Sequence, residues 1–144
     1  MKNYSIYTYL NTDNQKTSGN FFGEFSKNNN LIKISYESVE NDNSTLTTLF
    51  IFSNNQVRLS RKGHVNYTCV LNENSYSEFD IVIDSFKIKS TLFCHKIKVE
   101  ENSEYFKLTL NYDVIMGEKA STEYFIEVKK GAINVNWVFW TLVF

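Results

Sequence analysis

Arg61 is the residue whose chemistry is hardest to place on an ordinary surface. It follows Val57 and Leu59 at two-residue spacing, so on a strand it shares their apolar face. A guanidinium carried inward must be paired or hydrogen-bonded, and its planar fork suits a carboxylate or a phosphate. Two roles fit: an anchor for the anionic head group of a ligand, or a plug at one barrel mouth held by an acidic or carbonyl partner beside the turn at Gly63. Tyr36, Tyr67 and Tyr112 fall on similar faces, each with an apolar body and a hydroxyl that needs a partner when buried. Arg61, Tyr36, Leu59, Tyr67 and Tyr112 are therefore the candidate ligand-binding residues, with Val57 and Leu110 completing the wall. The same tyrosines could instead fill a narrow barrel, as side chains do in eight-stranded ones.

Other reactive side chains do not assemble into a recognisable pattern. His64, His95, Cys69 and Cys94 lack the paired spacing of a structural zinc site. Cys94 and His95 are adjacent, so a strand would point them to opposite faces. Asp80, Asp84, Asp113, Glu118 and Glu127 fall on polar faces, where solvated carboxylates are expected rather than an acid–base pair. No phosphate-binding glycine loop or nucleophile elbow is present. The expectation is of no catalytic residues, no metal site and no cofactor.

Composition sets the elements that must position these groups. The 144 residues fit one domain, 42% of them hydrophobic and 16% aromatic, ample for a core and weighted toward strands. A formal net charge of −1 argues against nucleic acid as a partner, since such binding depends on Lys and Arg neutralising phosphates. No apolar run is long enough for a membrane-spanning helix. Met1-Lys2-Asn3-Tyr4 leads into an alternating segment rather than a signal peptide, and two cysteines read as reduced, buried thiols. A cytoplasmic location is expected. With no proline and 5 glycines, the turns must fall to asparagine, which tolerates left-handed backbone angles.

Asn clusters punctuate the chain, and between them side chains alternate with period two. Ile32, Ile34 and Tyr36 oppose Lys33, Ser35 and Glu37; Leu108, Leu110, Tyr112 and Val114 oppose Thr109, Asn111 and Asp113. Each such run gives one face to a core and one to water. Thr45 to Phe52 is apolar on both faces, so its outer side should be covered. Between Phe86 and Val99 the apolar face changes parity, from Phe86, Ile88 and Leu92 to Ile97 and Val99, which predicts a bulge between Thr91 and His95. Some eight to ten strands of this kind imply an all-β antiparallel meander, a sandwich or a closed barrel; the barrel is favoured because closure would remove the exposed edges.

Segment order supports the barrel. Leu31-Ile32-Lys33-Ile34-Ser35-Tyr36-Glu37-Ser38, then Asn55 to Gly63 with Arg61-Lys62-Gly63 at its turn, then Leu108 to Val114 leading into Gly117, resembles the YwiB-like family. These are uncharacterised bacterial proteins with a calycin (lipocalin-like) β-barrel. The resemblance covers about residues 3–130. It implies a closed barrel, a fold that often encloses small apolar ligands, and no particular activity. Where the family pattern leads one to expect glycine in the hairpin from Phe79 to Lys89, this chain has Asp84-Ser85-Phe86. Another expected glycine is replaced at Tyr105-Phe106.

Residues 131–144 lie beyond the resemblance. Ile133, Val135, Trp137 and Phe139 alternate with Asn134 and Asn136 before both faces turn apolar. Left free, this stretch would be an aggregation-prone edge, so it should serve as a closing strand or mate with a second subunit as a homodimer. The leading functional expectation is a non-enzymatic binder of an apolar or amphipathic small molecule in the barrel interior. The alternative is an interaction module with a filled barrel that self-associates through residues 132–144.

Overall fold

The computed structural model describes residues 3–40, 42–53 and 55–131. These residues form ten antiparallel strands and no helix: β1 (Tyr4–Thr12), β2 (Gln15–Asn28), β3 (Leu31–Glu40), β4 (Asn43–Ser53), β5 (Gln56–Lys62), β6 (Val65–Asn72), β7 (Ser75–Ile83), β8 (Phe86–Glu101), β9 (Tyr105–Met116) and β10 (Glu118–Lys129). Each strand pairs with its sequence neighbours, and β1 pairs with β10 from Ser5↔Lys129 to Thr12↔Thr122. The barrel is thereby closed. Closure is complete at β10, so it does not require residues 132–144, on which the closing-strand and homodimer expectations fall; they lie outside the described residues.

Alternation sorts the side chains as the sequence requires. Ile34, Leu49, Leu59, Leu71, Leu108, Leu110 and Ile126 are at most 1% exposed and share the interior. Each such side chain contributes about 1.5–3 kcal/mol by leaving water. Most tight turns use asparagine and aspartate in place of glycine, the β9–β10 turn at Gly117 being an exception. Asp13, Asn14, Asn29, Asn30, Asp42, Asn74 and Asp84 all have positive φ, the short polar side chain tolerating the left-handed region. Asp84 takes that conformation at 54°, in the hairpin where the family resemblance led to the expectation of glycine.

The predicted bulge is present. The β8–β9 register shifts between Cys94 and Lys96, so Cys94 faces Tyr112, Lys96 faces Asn111, and His95 is the extra residue. That insertion carries the buried set from Leu92 and Cys94 to Ile97. Phe86 and Ile88 do not join this interior: they are 72% and 41% exposed, where β8 runs beyond its ladder with β9, which begins at Thr91.

Strand β2 carries too few apolar residues at its start to be recognised from pattern. Gln15, Lys16, Thr17 and Ser18 are all exposed, and only Phe21, Gly23 and Phe25 turn toward the core. Its ladder with β3 runs from Asn28↔Leu31 to Gly23↔Tyr36 and stops there, so its first half is paired to β1 alone. The outer face of β4 is not covered by another layer of described residues. Phe52 is 39% exposed, and the cations of Lys33 and Arg58 sit 5.8 and 5.4 Å from the Phe50 and Phe52 rings instead.

Candidate functional site

Antiparallel pairing places the turns after odd-numbered strands at one end of the barrel, here called the upper end, and those after even-numbered strands at the other. The interior is graded between them. Its lower half is hydrocarbon: Ile32, Ile51, Val57, Leu71, Phe106 and Leu108. Toward the upper end it becomes polar, with Tyr36, Thr45, Thr47, Tyr112, Thr122 and Tyr124 buried.

Arg61 belongs to this upper set. Inward positions run across six strands in one register row, Tyr4↔Gly23↔Tyr36↔Thr47↔Arg61↔Tyr67. The row brings three of the five predicted residues side by side. Tyr112 approaches from β9, and Leu59, 1% exposed, lies one inward step below Arg61. Sequence reasoning did not single out Tyr124, although it shares the alternating face of Ile126 and Val128. Its hydroxyl hydrogen-bonds to that of Tyr36 across the barrel, 88 residues away in the chain.

The electrostatics of this cluster are unusual. Arg61 Nε is buried and has no hydrogen-bond partner among the described residues. Among the described residues, no carboxylate forms an ion pair with Arg61. Burial disfavours the charge, but Tyr67, Tyr124, Tyr36 and Tyr112 offset this and hold the guanidinium pKa above its ordinary value. Burial likewise raises the pKa of Tyr112 and Tyr124, which remain neutral. Cys69 is pushed up to about 12 by burial and Cys94 to about 11, so both free thiols are protonated and poor nucleophiles. The arrangement is one fixed positive charge amid phenol groups, above an apolar floor.

A second polar cluster lies on the outer wall. Asp113 is 5% exposed, not solvated as its polar strand face suggested. The bulge turns His95 onto it with Nε2 2.6 Å from Oδ2, while the Ser121 hydroxyl donates to Oδ1 at 3.0 Å. Lys119 Nζ lies 3.6 Å away. Burial would raise the Asp113 pKa, yet the His95 and Ser121 hydrogen bonds and the neighbouring charges bring it below the ordinary value. An open polar cleft of about 460 Å³ adjoins these groups, lined also by Asn11, Asn111 and Glu123. Ser121 bonds to the carboxylate rather than the imidazole, so the three do not form a charge-relay nucleophile. The other carboxylates named above do not join this cluster, and His64 pairs only loosely with Asp84, at 3.9 Å.

Comparison with known proteins agrees with the architecture. The family described as "Domain of unknown function (DUF1934)" matches residues 5–128. The chain belongs to this family. Among solved structures, the ywiB protein of Bacillus subtilis superposes with a TM-score of 0.77 at 14% identity, covering 91% of this chain and 93% of that one. At that identity the likeness speaks for the fold alone. No curated protein matches the chain. Among the described residues, no helix is long and apolar enough to cross a membrane.

Proposed function

We propose that this DUF1934 protein binds an amphipathic small molecule inside the barrel, without catalysing a reaction. Arg61 would hold an anionic head group, Tyr36, Tyr67 and Tyr112 would surround it, and the apolar portion would descend along Val57, Leu59 and Leu110. The observation that carries this reading is the inward Arg61 guanidinium, whose buried Nε has no hydrogen-bond partner and which has no acidic partner among the described residues. A buried charge without a counter-ion is costly, and a bound anion relieves that cost. The polar-over-apolar grading of the interior supports an amphipathic ligand. Two buried free thiols fit a reducing, cytoplasmic setting.

Native mass spectrometry of freshly purified protein tests the proposal. A co-purifying anion should appear as added mass on the wild type and be absent from Arg61→Met. Wild type and variant each found only at the bare mass of its own sequence, with no amphipathic carboxylate or phosphate ester retained on addition, would refute it.

A further inference from the structure

Where β2 and β3 part above Gly23 and Tyr36, the outer wall carries a groove of about 640 Å³ extending over β3, β4 and β5. Its open floor carries Phe22, 65% exposed, Leu46, 37% exposed, and Phe50, with Ser35, Thr48 and Ser60 between them. Glu24, Lys33, Glu37 and Lys62 form a mixed-charge rim. This is the same outer face of β4 whose apolar character calls for a cover. Large apolar side chains left open in one groove with a charged rim suit a surface that is occupied.

The described chain leaves β10 close to this groove. Lys129 shares a register row with Ser5 and Phe22, two strands away, and Glu37, Leu46 and Lys62 form a row across the next three strands. Lys130 fixes the exit point: its amide donates to the Glu104 carbonyl at 2.8 Å and its ammonium reaches Glu101 at 2.7 Å. At about 4.8 Å between strands, Phe22 lies roughly 10 Å from the exit and Leu46 roughly 20 Å. Residues 132–144 can span up to about 43 Å when extended. They contain no charged side chain and alternate Ile133, Val135, Trp137 and Phe139 on one face. A barrel already closed by β1 and β10 requires no strand from them.

We infer that residues 132–144 of the same chain dock in the outer groove of β2–β5, seating apolar side chains on Phe22, Leu46 and Phe50. This inference is independent of the interior binding site. The in-chain occupant is favoured because the tether begins two strands from Phe22. A second copy would have to supply the same segment at the entropic cost of association.

The only two tryptophans, Trp137 and Trp140, both lie in this segment, so intrinsic fluorescence reports on it alone. In full-length protein the emission should be blue-shifted and protected from acrylamide. Phe22→Lys and Leu46→Lys, at exposed positions the fold tolerates, should each shift emission to the red and raise quenching several-fold. Phe86→Lys, on the β7–β8 hairpin, should change neither. Far-ultraviolet circular dichroism confirms that each variant is folded. Solvent-like emission in the wild type, or emission indifferent to both groove substitutions, overturns the inference. So does burial that depends on protein concentration and accompanies a dimer in sedimentation, which assigns the groove to a second copy.

Discussion

His95 Nε2 stands 2.6 Å from Asp113 Oδ2 only because β8 has one residue more than β9 at that point. The bulge and the contact are one feature: Cys94 remains in the core, and the extra residue swings outward over a carboxylate that is 5% exposed. With Asp113 ionised and able only to accept, the imidazole must present its Nε2 proton.

Asp113 has a lowered folded pKa, so it adds stability that is full above its unfolded value near 3.8 and is lost as pH falls through the lower folded value. Removing the imidazole withdraws one hydrogen bond and one charge that favour the carboxylate. His95→Ala should move the acid-unfolding midpoint to higher pH. At neutral pH it should cost about 1 kcal/mol, the lower end for a charged hydrogen bond because His95 is half-exposed. Urea unfolding monitored between pH 2 and 7 measures both effects.

Arg61 predicts an inverse relation between stability and binding. Arg61→Met replaces a largely inward guanidinium, with no acidic partner among the described residues, by an apolar chain of similar length. The ligand-free protein should gain about 1–3 kcal/mol while losing any bound anion. Thermal melts of delipidated wild type and variant decide this, since a loss of stability in the variant would mean the guanidinium is already compensated within the chain.

Gly23 holds β2 against β3 where their ladder ends. A Cβ there would lie 2.2 Å from the Ser35 carbonyl oxygen, 2.7 Å from Ile6 Cδ1 and 3.0 Å from Tyr36 Cβ. Since two of these neighbours are backbone or core atoms that cannot swing aside, Gly23→Ala should destabilise the barrel by about 2–4 kcal/mol. It should also displace the Tyr36 ring from its stack on Phe21, a change visible in near-ultraviolet circular dichroism.

Cys69 and Cys94 should resist thiol reagents in the native protein. Both are buried, with pKa values of about 12 and 11, so access and thiolate fraction are small together. Both should titrate at once in denaturant. Rapid labelling of either under native conditions would show that the upper wall opens readily.

Side-chain alternation exposed most of the interior to reading from sequence. Arg61 could be assigned to the face of Leu59, and Tyr36 to that of Ile34, because a strand has only two faces and burial of one apolar residue assigns the rest. The parity change between Leu92 and Ile97 located the bulge for the same reason. Strand β2 was illegible: a segment with exposed Gln15 to Ser18 has no apolar contrast to report, and β1 alone holds it extended.

Local order thus determined the facing of most side chains in the described strands other than β2, the turns that asparagine makes, and the inward set from which a site is built. Only the closed tertiary structure decided which of those residues meet. Tyr124 reaches Tyr36, Asp113 is buried beneath His95, and Phe22 shares a groove with Leu46, through the curvature and stagger of ten strands. Those are properties of the whole ring, and no single strand's sequence carries them.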